Sequence, residues 1–521
     1  MTMKKVYLYI SLAFFAFAFG ACDKQLDLAP EDYYGQGNFW KTEAQATNYM
    51  AGLHNGFRSQ MFMFNRLGEM RGGGYYNRDR MGVSLNELNV IEHNLSEQTP
   101  GISNWAGFYG SILDINIFLH NVEGSNIIPD AGKRDYLLGQ AYAMRAYYYF
   151  HLLRTYGGVP LRLVPDVILD RPDAVGLRLA RSTEAEVLAA VKSDVDKAVQ
   201  LFDGKASTGK YLWNPDAAKM LKGEVYLWSG KVYDNTADLG VAKATLESIT
   251  GYTLQANFAN TFATKGNSEI IFALRYAVGE AEMPSVSFYT YDLFNFSGSY
   301  YKDSTGNSDV LSDPLNIGQP NSQQIIQRYA YDYDLFLAYE PSDQRRDVTF
   351  YDFYRLDRAT NPPKVTVRNT VLTKFLGEIN ANKRYFTSDW PIYREADRLL
   401  MLAEIANAQG GDPTQYIQAI RDRAFKGNDP NPFVNGSRDA NEIAIFEERM
   451  KEFVFEAKRW YDLRRMEVGG KPMAFISPLH PYGELDEATE AYKLLWPINT
   501  GVWTNDPLVD QTPGYTTSKP R

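Results

Sequence analysis

Apolar positions recur along most of this chain at the three-to-four-residue spacing of buried helix faces, and only briefly with the two-residue alternation of strands. Tyr136, Leu137, Gln140, Met144, Tyr147 and Leu152 fall near that spacing and predict one helix from Lys133 to Tyr156. Gly157-Gly158 followed by Pro160 stops it, because glycine accepts the left-handed cap and proline cannot continue a helix. Asn214 to Ser229 predicts a second helix, with an Asn cap, Pro215 in its first turn and a stripe of Ala218, Leu221, Val225 and Trp228. Two more are predicted over 394–409, ending at Gly410-Gly411, and over 416–425. The longest pattern, Asn441 to Met466, bears Ile445, Met450, Phe453, Ala457, Trp460 and Leu463. Its charged residues, from Glu447, Glu448, Arg449 and Glu452 to Glu456, Arg459, Asp462, Arg464 and Arg465, are expected to pair three or four apart along that helix. Such pairs contribute about 0.2–0.5 kcal/mol each and carry no chemistry. The aromatic run Tyr147-Tyr148-Tyr149-Phe150 reads as core, and His151 as a packed histidine.

Helix pairs with Ala, Tyr and Trp at tight crossings are similar to tetratricopeptide packing, although no clean repeat of about 34 residues occurs. Between roughly 250 and 390 the pattern changes. Glu269 to Leu274 is a short strand-like run, while 285–375 is rich in Gly, Asn, Asp, Ser and Tyr and reads as irregular. Long irregular segments in a compact body are usually functional, since binding residues sit on loops held by a rigid scaffold. The fold class expected is mostly α, a tetratricopeptide-like helical scaffold with a loop-rich insert and short strands.

The amino terminus is a separate matter. Lys4 and Lys5 precede an almost unbroken apolar run from Val6 to Phe19, and Gly20 and Ala21 lead into Cys22. This is the order of a secretory signal, and the run is shorter than the roughly twenty apolar residues that span a bilayer. Phe19-Gly20-Ala21-Cys22 resembles a bacterial lipobox, with Phe19 where leucine is usual; residues 1–21 are then a signal peptide and Cys22 the acylated new terminus. The chain has one cysteine, so with Cys22 acylated neither a disulfide nor a cysteine metal site is available. Residues 22–40 read as a polar tether, 41–265 as an amino-terminal helical region and 266–521 as a carboxy-terminal region carrying the binding loops.

A net charge of −9 without a basic block disfavours nucleic acid. The 36 tyrosines and 29 phenylalanines exceed what a core asks for. Tyrosine couples an apolar ring to a polar tip and suits wet binding surfaces. Sugar recognition needs rings interleaved with planar polar groups on loops, and two segments fit. One is Arg71 to Asp79, where three glycines precede Tyr75, Tyr76 and Asn77. The other is Phe288 to Tyr301, with Tyr289, Tyr291, Phe296, Tyr300 and Tyr301. The expected ligand contacts are therefore Arg71, Tyr75, Tyr76, Asn77, Asp79, Tyr289, Tyr291, Phe296, Tyr300 and Tyr301. A third stretch, Tyr329 to Asp334, would place Tyr329, Tyr331 and Tyr333 on one side if extended.

Six segments, in order, resemble the SusD/RagB family of nutrient-binding lipoproteins. They are AYAMRAYYYFHLLRTYGGVP (141–160), AAKMLKGEVYLWSG (217–230), SEIIFALRY (268–276), the helix pair from Trp390 to Arg423, FEERMKEFVFEAKRWYDLRRM (446–466), and the closing WPI (496–498) with QTPGY (511–515). Thr512 departs from the usual asparagine of the last motif. The resemblance implies display at the outer face of the outer membrane and partnership with a SusC-like TonB-dependent transporter. It implies an oligosaccharide ligand, or in some members a peptide, held mainly by loops in the two tyrosine-rich regions.

Catalytic readings are poor. The five histidines are dispersed, and no H-E-x-x-H, G-x-S-x-G or phosphate loop occurs. A surface glycoside hydrolase needs two carboxylates about 5–10 Å apart, which 63 acidic residues leave open. No cofactor is expected, and no D-x-D-x-D-G calcium loop is present.

Overall fold

The computed structural model describes residues 39–76, 85–101, 105–169, 173–284, 289–291, 296–318, 329–477 and 484–519. Signal peptide, Cys22 and most of the tether lie outside this set. The principal helices are α1 (Glu43–Ser59), α2 (Met61–Glu69), α3 (Ala106–Val122), α4 (Ala131–Tyr156), α5 (Glu184–Leu201), α6 (Pro215–Val232) and α7 (Ala237–Glu247). After a strand-bearing insert come α8 (Glu395–Ala408), α9 (Thr414–Ala424), α10 (Arg438–Glu452) and α11 (Arg459–Arg465). From α4 to α8 each helix packs on the one before it, α1 lies on α3, and α9 and α10 both lie on α8. None is long and apolar enough to cross a membrane.

Local chemistry sets the helix ends. Thr42 and Thr183 open α1 and α5 as capping boxes with Gln45 and Glu186, and Asn214 accepts from the Asp216 and Ala217 amides (3.1 and 3.0 Å) to open α6. Gly157 ends α4 at φ 74°, and a Cβ on Gly158 would lie 2.1 Å from the Ser182 carbonyl oxygen. From Leu137 onward every residue of α4 but Tyr142 is buried, so Tyr147 to Phe150 are core and no polar face exists there. His151 is buried too, with Nδ1 2.9 Å from the Tyr461 hydroxyl.

The expected helix over 441–466 is two helices. Between α10 and α11 the chain turns through positive φ at Phe455 (64°) and Ala457 (59°). Nor do its charges line one helix surface. Glu448, Arg449, Glu452, Glu456, Asp462 and Arg465 are buried and pair mostly with distant elements. Arg394 meets Glu269 (2.7 Å), Glu452 (2.5 Å) and Glu456 (2.8 Å); Arg345 meets Asp343 (2.6 Å), Glu448 (2.5 Å) and Glu452 (3.0 Å). Arg465 holds Glu404 at 2.8 Å in a second cluster. Burial alone would raise the Glu452 carboxyl, but Arg423, Arg394 and Arg345 overcome it and hold it well below the usual carboxylate range.

The insert carries β2 (Ile270–Leu274), β3 (Ala330–Tyr331), β4 (Phe350–Asp357), β5 (Lys364–Leu372), β6 (Glu378–Asn380), β7 (Lys383–Tyr385) and β8 (Trp390–Arg394), with β1 (Tyr75–Tyr76) upstream. All pair antiparallel, two by two: β1 with β3, β2 with β8, β4 with β5 and β6 with β7. The β4–β5 hairpin corrects the reading of 285–375 as wholly irregular. β2 and β8 are buried on both faces, β2 as its unbroken apolar run requires and β8 with Arg394 at its end paired to buried carboxylates.

Candidate functional site

The antiparallel pairing of β1 with β3 sets Tyr75 opposite Tyr331 and Tyr76 opposite Ala330, so two tyrosine-rich segments far apart in sequence become one unit. Tyr289 joins them. The Tyr75 hydroxyl lies 3.0 Å from that of Tyr331 and 3.3 Å from that of Tyr289, and the Tyr289 ring stacks on Tyr329 (centroids 5.1 Å, 29°). The chain of hydroxyls ends at Glu69, the last residue of α2: Tyr331 donates to its Oε1 (3.2 Å), and so does the Phe455 amide (3.0 Å). Burial pushes the Glu69 carboxyl up to about 7, a rise that the Phe455 amide and the Tyr331 hydroxyl only partly oppose. Burial likewise raises the Tyr75 and Tyr331 hydroxyls, which are neutral donors. The left-handed turn at Phe455 thus has a purpose. It aims an amide at Glu69, lets the Phe455 carbonyl accept from Trp390 Nε1 (2.9 Å), and sets its ring edge-on to Tyr289 at 4.6 Å.

A second aromatic group stands beside the hairpin. Tyr291 stacks on Phe296 (4.0 Å, 17°), Phe296 on Tyr300 (5.1 Å, 21°), and the Arg355 guanidinium covers Tyr300 at 4.9 Å. Phe353 of β4 closes the stack edge-on to Phe296 and Tyr300. Tyr301 exchanges both backbone hydrogen bonds with Tyr354 (2.8 and 2.9 Å), which fixes this segment to the hairpin edge. Arg358 then lies over the Tyr301 ring (5.2 Å) and donates to its hydroxyl (3.1 Å). The stack therefore runs from a buried ring outward to half-buried tyrosines and exposed guanidinium groups.

Several expected contacts are placed otherwise. Arg71, Tyr75, Tyr289, Tyr291 and Phe296 are each at most 2 % exposed, so their surfaces are spent on the protein itself. Arg71 donates from Nε to His93 (3.1 Å), reaches the Lys493 carbonyl, and lies over the Trp460 ring at 4.1 Å; it ties the segment to the carboxy terminus. Burial lowers its pKa to about 9. Tyr300 and Tyr301 alone of the described contacts are partly open to solvent. Asn77, Asp79 and the Tyr76 side chain lie outside the described residues. Glu69, Tyr354, Arg355 and Arg358 escaped the sequence reading, although the alternation of YDFYRLD over β4 carries the signal. Among the described residues no group of three or more His, Cys, Asp or Glu could hold a metal.

The described residues thus form a helical scaffold that carries aromatic loops on a buried tyrosine base. Comparison with known proteins places it. The SusD family model matches residues 248–515, and the model described as "Starch-binding associating with outer membrane" matches 31–227. The chain belongs to the SusD family, whose members are in general carbohydrate-binding proteins of nutrient uptake and not enzymes. It is similar to a SusD superfamily protein from Bacteroides fragilis, at 35% identity and a TM-score of 0.82 over 92% of this chain and 100% of that one. NanU of B. fragilis is similar at 32% identity and a TM-score of 0.79 over 94% and 100%. SusD-like protein P38 of Formosa agariphila is 24% identical over 95% of this chain and 96% of its own.

Proposed function

We propose that this protein captures an oligosaccharide at the cell surface and passes it to a SusC-like TonB-dependent transporter in the outer membrane. Acylated Cys22 anchors it there. Family membership supports glycan capture in general, and one observation carries the location: the stack Tyr291–Phe296–Tyr300–Arg355 ends at an open edge beside Tyr301 and Arg358. A sugar needs there a ring for its C–H face and fixed planar donors for its hydroxyls. The stacked rings and the Arg358 guanidinium are held by the protein before the ligand arrives, which lowers the entropic cost of binding. Tyr300, Tyr301, Arg355 and Arg358 are the contacts from this edge, and Tyr76, Asn77 and Asp79 are those from the first loop. The buried tyrosines act as their base.

Calorimetry against a panel of glycans tests this reading. The wild-type protein is expected to bind at least one, and Tyr301→Ala with Arg355→Ala to weaken binding by about 1–3 kcal/mol, the sum of a lost ring contact and a lost cation. New reducing ends released from the glycans would sink it in favour of a hydrolase. Binding of peptides alone would move the ligand class. Metabolic labelling with a radioactive fatty acid, expected to vanish in Cys22→Ala, tests the anchor.

A further inference from the structure

A cleft of about 350 Å3 opens at the start of α3, and none of its lining residues belongs to the tyrosine base or the hairpin edge. This volume falls within the roughly 300–1,000 Å3 of small-ligand sites. Trp105 and Tyr109 form one wall, Arg162 stands behind, and Asn499, Asn505 and Asp506 close it from the carboxy-terminal segment.

The walls are held in place by the protein. Tyr109 donates its hydroxyl proton to the Pro160 carbonyl (2.6 Å). The Arg162 amide donates to the Tyr149 hydroxyl (2.7 Å), and the Arg162 carbonyl accepts from Tyr149 (2.8 Å) and from Asn116 (2.9 Å). The far wall is clamped by the Trp496 amide on the Thr155 carbonyl (2.8 Å) and by Gln511, whose side chain bonds both the amide and the carbonyl of Ile498 (2.6 and 2.9 Å). Asp506 uses its two carboxylate oxygens on the Leu179 and Leu508 amides (2.9 and 3.1 Å), and Asn499 Oδ1 accepts from the Gly501 amide (2.8 Å). What the cleft still offers is the half-buried indole of Trp105, the donors of Arg162 other than the Nη2 bonded to the Leu177 carbonyl, with Nη1 4.0 Å from Asp166, and the exposed Asn505 amide, which has no hydrogen-bond partner among the described residues. A flat apolar ring, an amide and a guanidinium lining one cleft the size of one or two sugar rings are the equipment for a polyol with an apolar face.

We propose that this cleft is a second carbohydrate site, taking one pyranose ring with its C–H face against Trp105 and its hydroxyls on Asn505 and Arg162. It does not depend on the hairpin edge. The carboxy-terminal segment would then build a site as well as close the fold, and two separated sites would let one protein hold two stretches of a chain or two branches.

The test uses the full-length protein with glucose, galactose, N-acetylglucosamine and glucuronate as probes, followed by saturation-transfer NMR and calorimetry. At least one probe is expected to bind, and Trp105→Ala and Asn505→Ala each to weaken it by about tenfold or more. Tyr301→Ala with Arg355→Ala should leave that binding unchanged, so this site and the hairpin edge succeed or fail separately. Trp105 packs edge-on to Tyr156 at 5.2 Å and its loss can loosen the fold; Asn505 is exposed and keeps the result clean. The proposal is overturned if no probe binds the wild-type protein, if Asn505→Ala binds as well as wild type, or if the hairpin-edge variant abolishes the binding.

Discussion

Glu69 accepts from two donors through Oε1, while its buried Oε2 has no partner among the described residues. Its carboxyl is raised from the usual 4.5 to about 7, mainly by burial. A raised acid keeps its proton longer in the folded than in the unfolded chain. Between about 4.5 and 7 the folded state therefore holds more protons, and the stability that Glu69 contributes falls as pH rises through that window. The shift corresponds to about 3 kcal/mol. Urea unfolding at pH 4.5 and 7.5 should show wild type losing about that much relative to Glu69→Gln, which keeps the acceptor without the charge. Parallel curves for the two proteins would mean that Glu69 titrates normally. This residue illustrates what spacing could not reveal. Tyr75, Tyr289 and Tyr331 stood out in the sequence as tyrosines in polar company, but that they bury one another around a carboxyl depends on the pairing of β1 with β3.

The sharpest departure from the sequence pattern at the element scale is the break between α10 and α11. Helical spacing continues unbroken from Asn441 to Met466, yet Phe455 and Ala457 take left-handed backbone. Local propensity was overridden because this turn feeds Glu69, Asn65 and Trp390, three long-range partners that a straight helix could not reach. Gly68 of α2 lets the turn approach: a Cβ there would meet the Ala457 carbonyl oxygen at 2.0 Å. Since backbone cannot step aside cheaply, Gly68→Ala is expected to lower stability by about 1–3 kcal/mol, read as a fall in melting temperature. Gly52 of α1 is the control. Nothing lies within 4 Å of its added Cβ, so Gly52→Ala should raise stability by about 0.5–1 kcal/mol through helix propensity alone. If both variants shift in the same direction, the close approach of α2 to the turn is not what Gly68 provides.

Across the whole molecule, the carboxy-terminal half is organised around buried charge. Arg394 sits at the end of β8 and reaches Glu269 beside β2 and Glu452 and Glu456 around the break, so one guanidinium joins three parts of the chain. Removing one member of such a cluster strands the others in a low dielectric, whereas exposed pairs cost little. Arg394→Met is expected to lower stability by about 3–5 kcal/mol in urea, while Lys133→Met, whose partner Glu43 is exposed, should change it by less than about 1 kcal/mol. Similar losses for both would refute the central role of the buried cluster. The helices Ala131–Tyr156, Pro215–Val232, Glu395–Ala408 and Thr414–Ala424, the strand at Ile270–Leu274 and the core status of Tyr147 to Phe150 were legible from the sequence, because each depends on periodicity and end signals acting within a few residues. The family, too, could be read from six ordered motifs, and the family models bear it out. Tertiary structure alone decided which charges are buried, where the long helix breaks, and which of the loop tyrosines face inward. Those outcomes turn on desolvation and on partners hundreds of residues away, such as Asn65 and Phe455, and a local pattern carries no record of either.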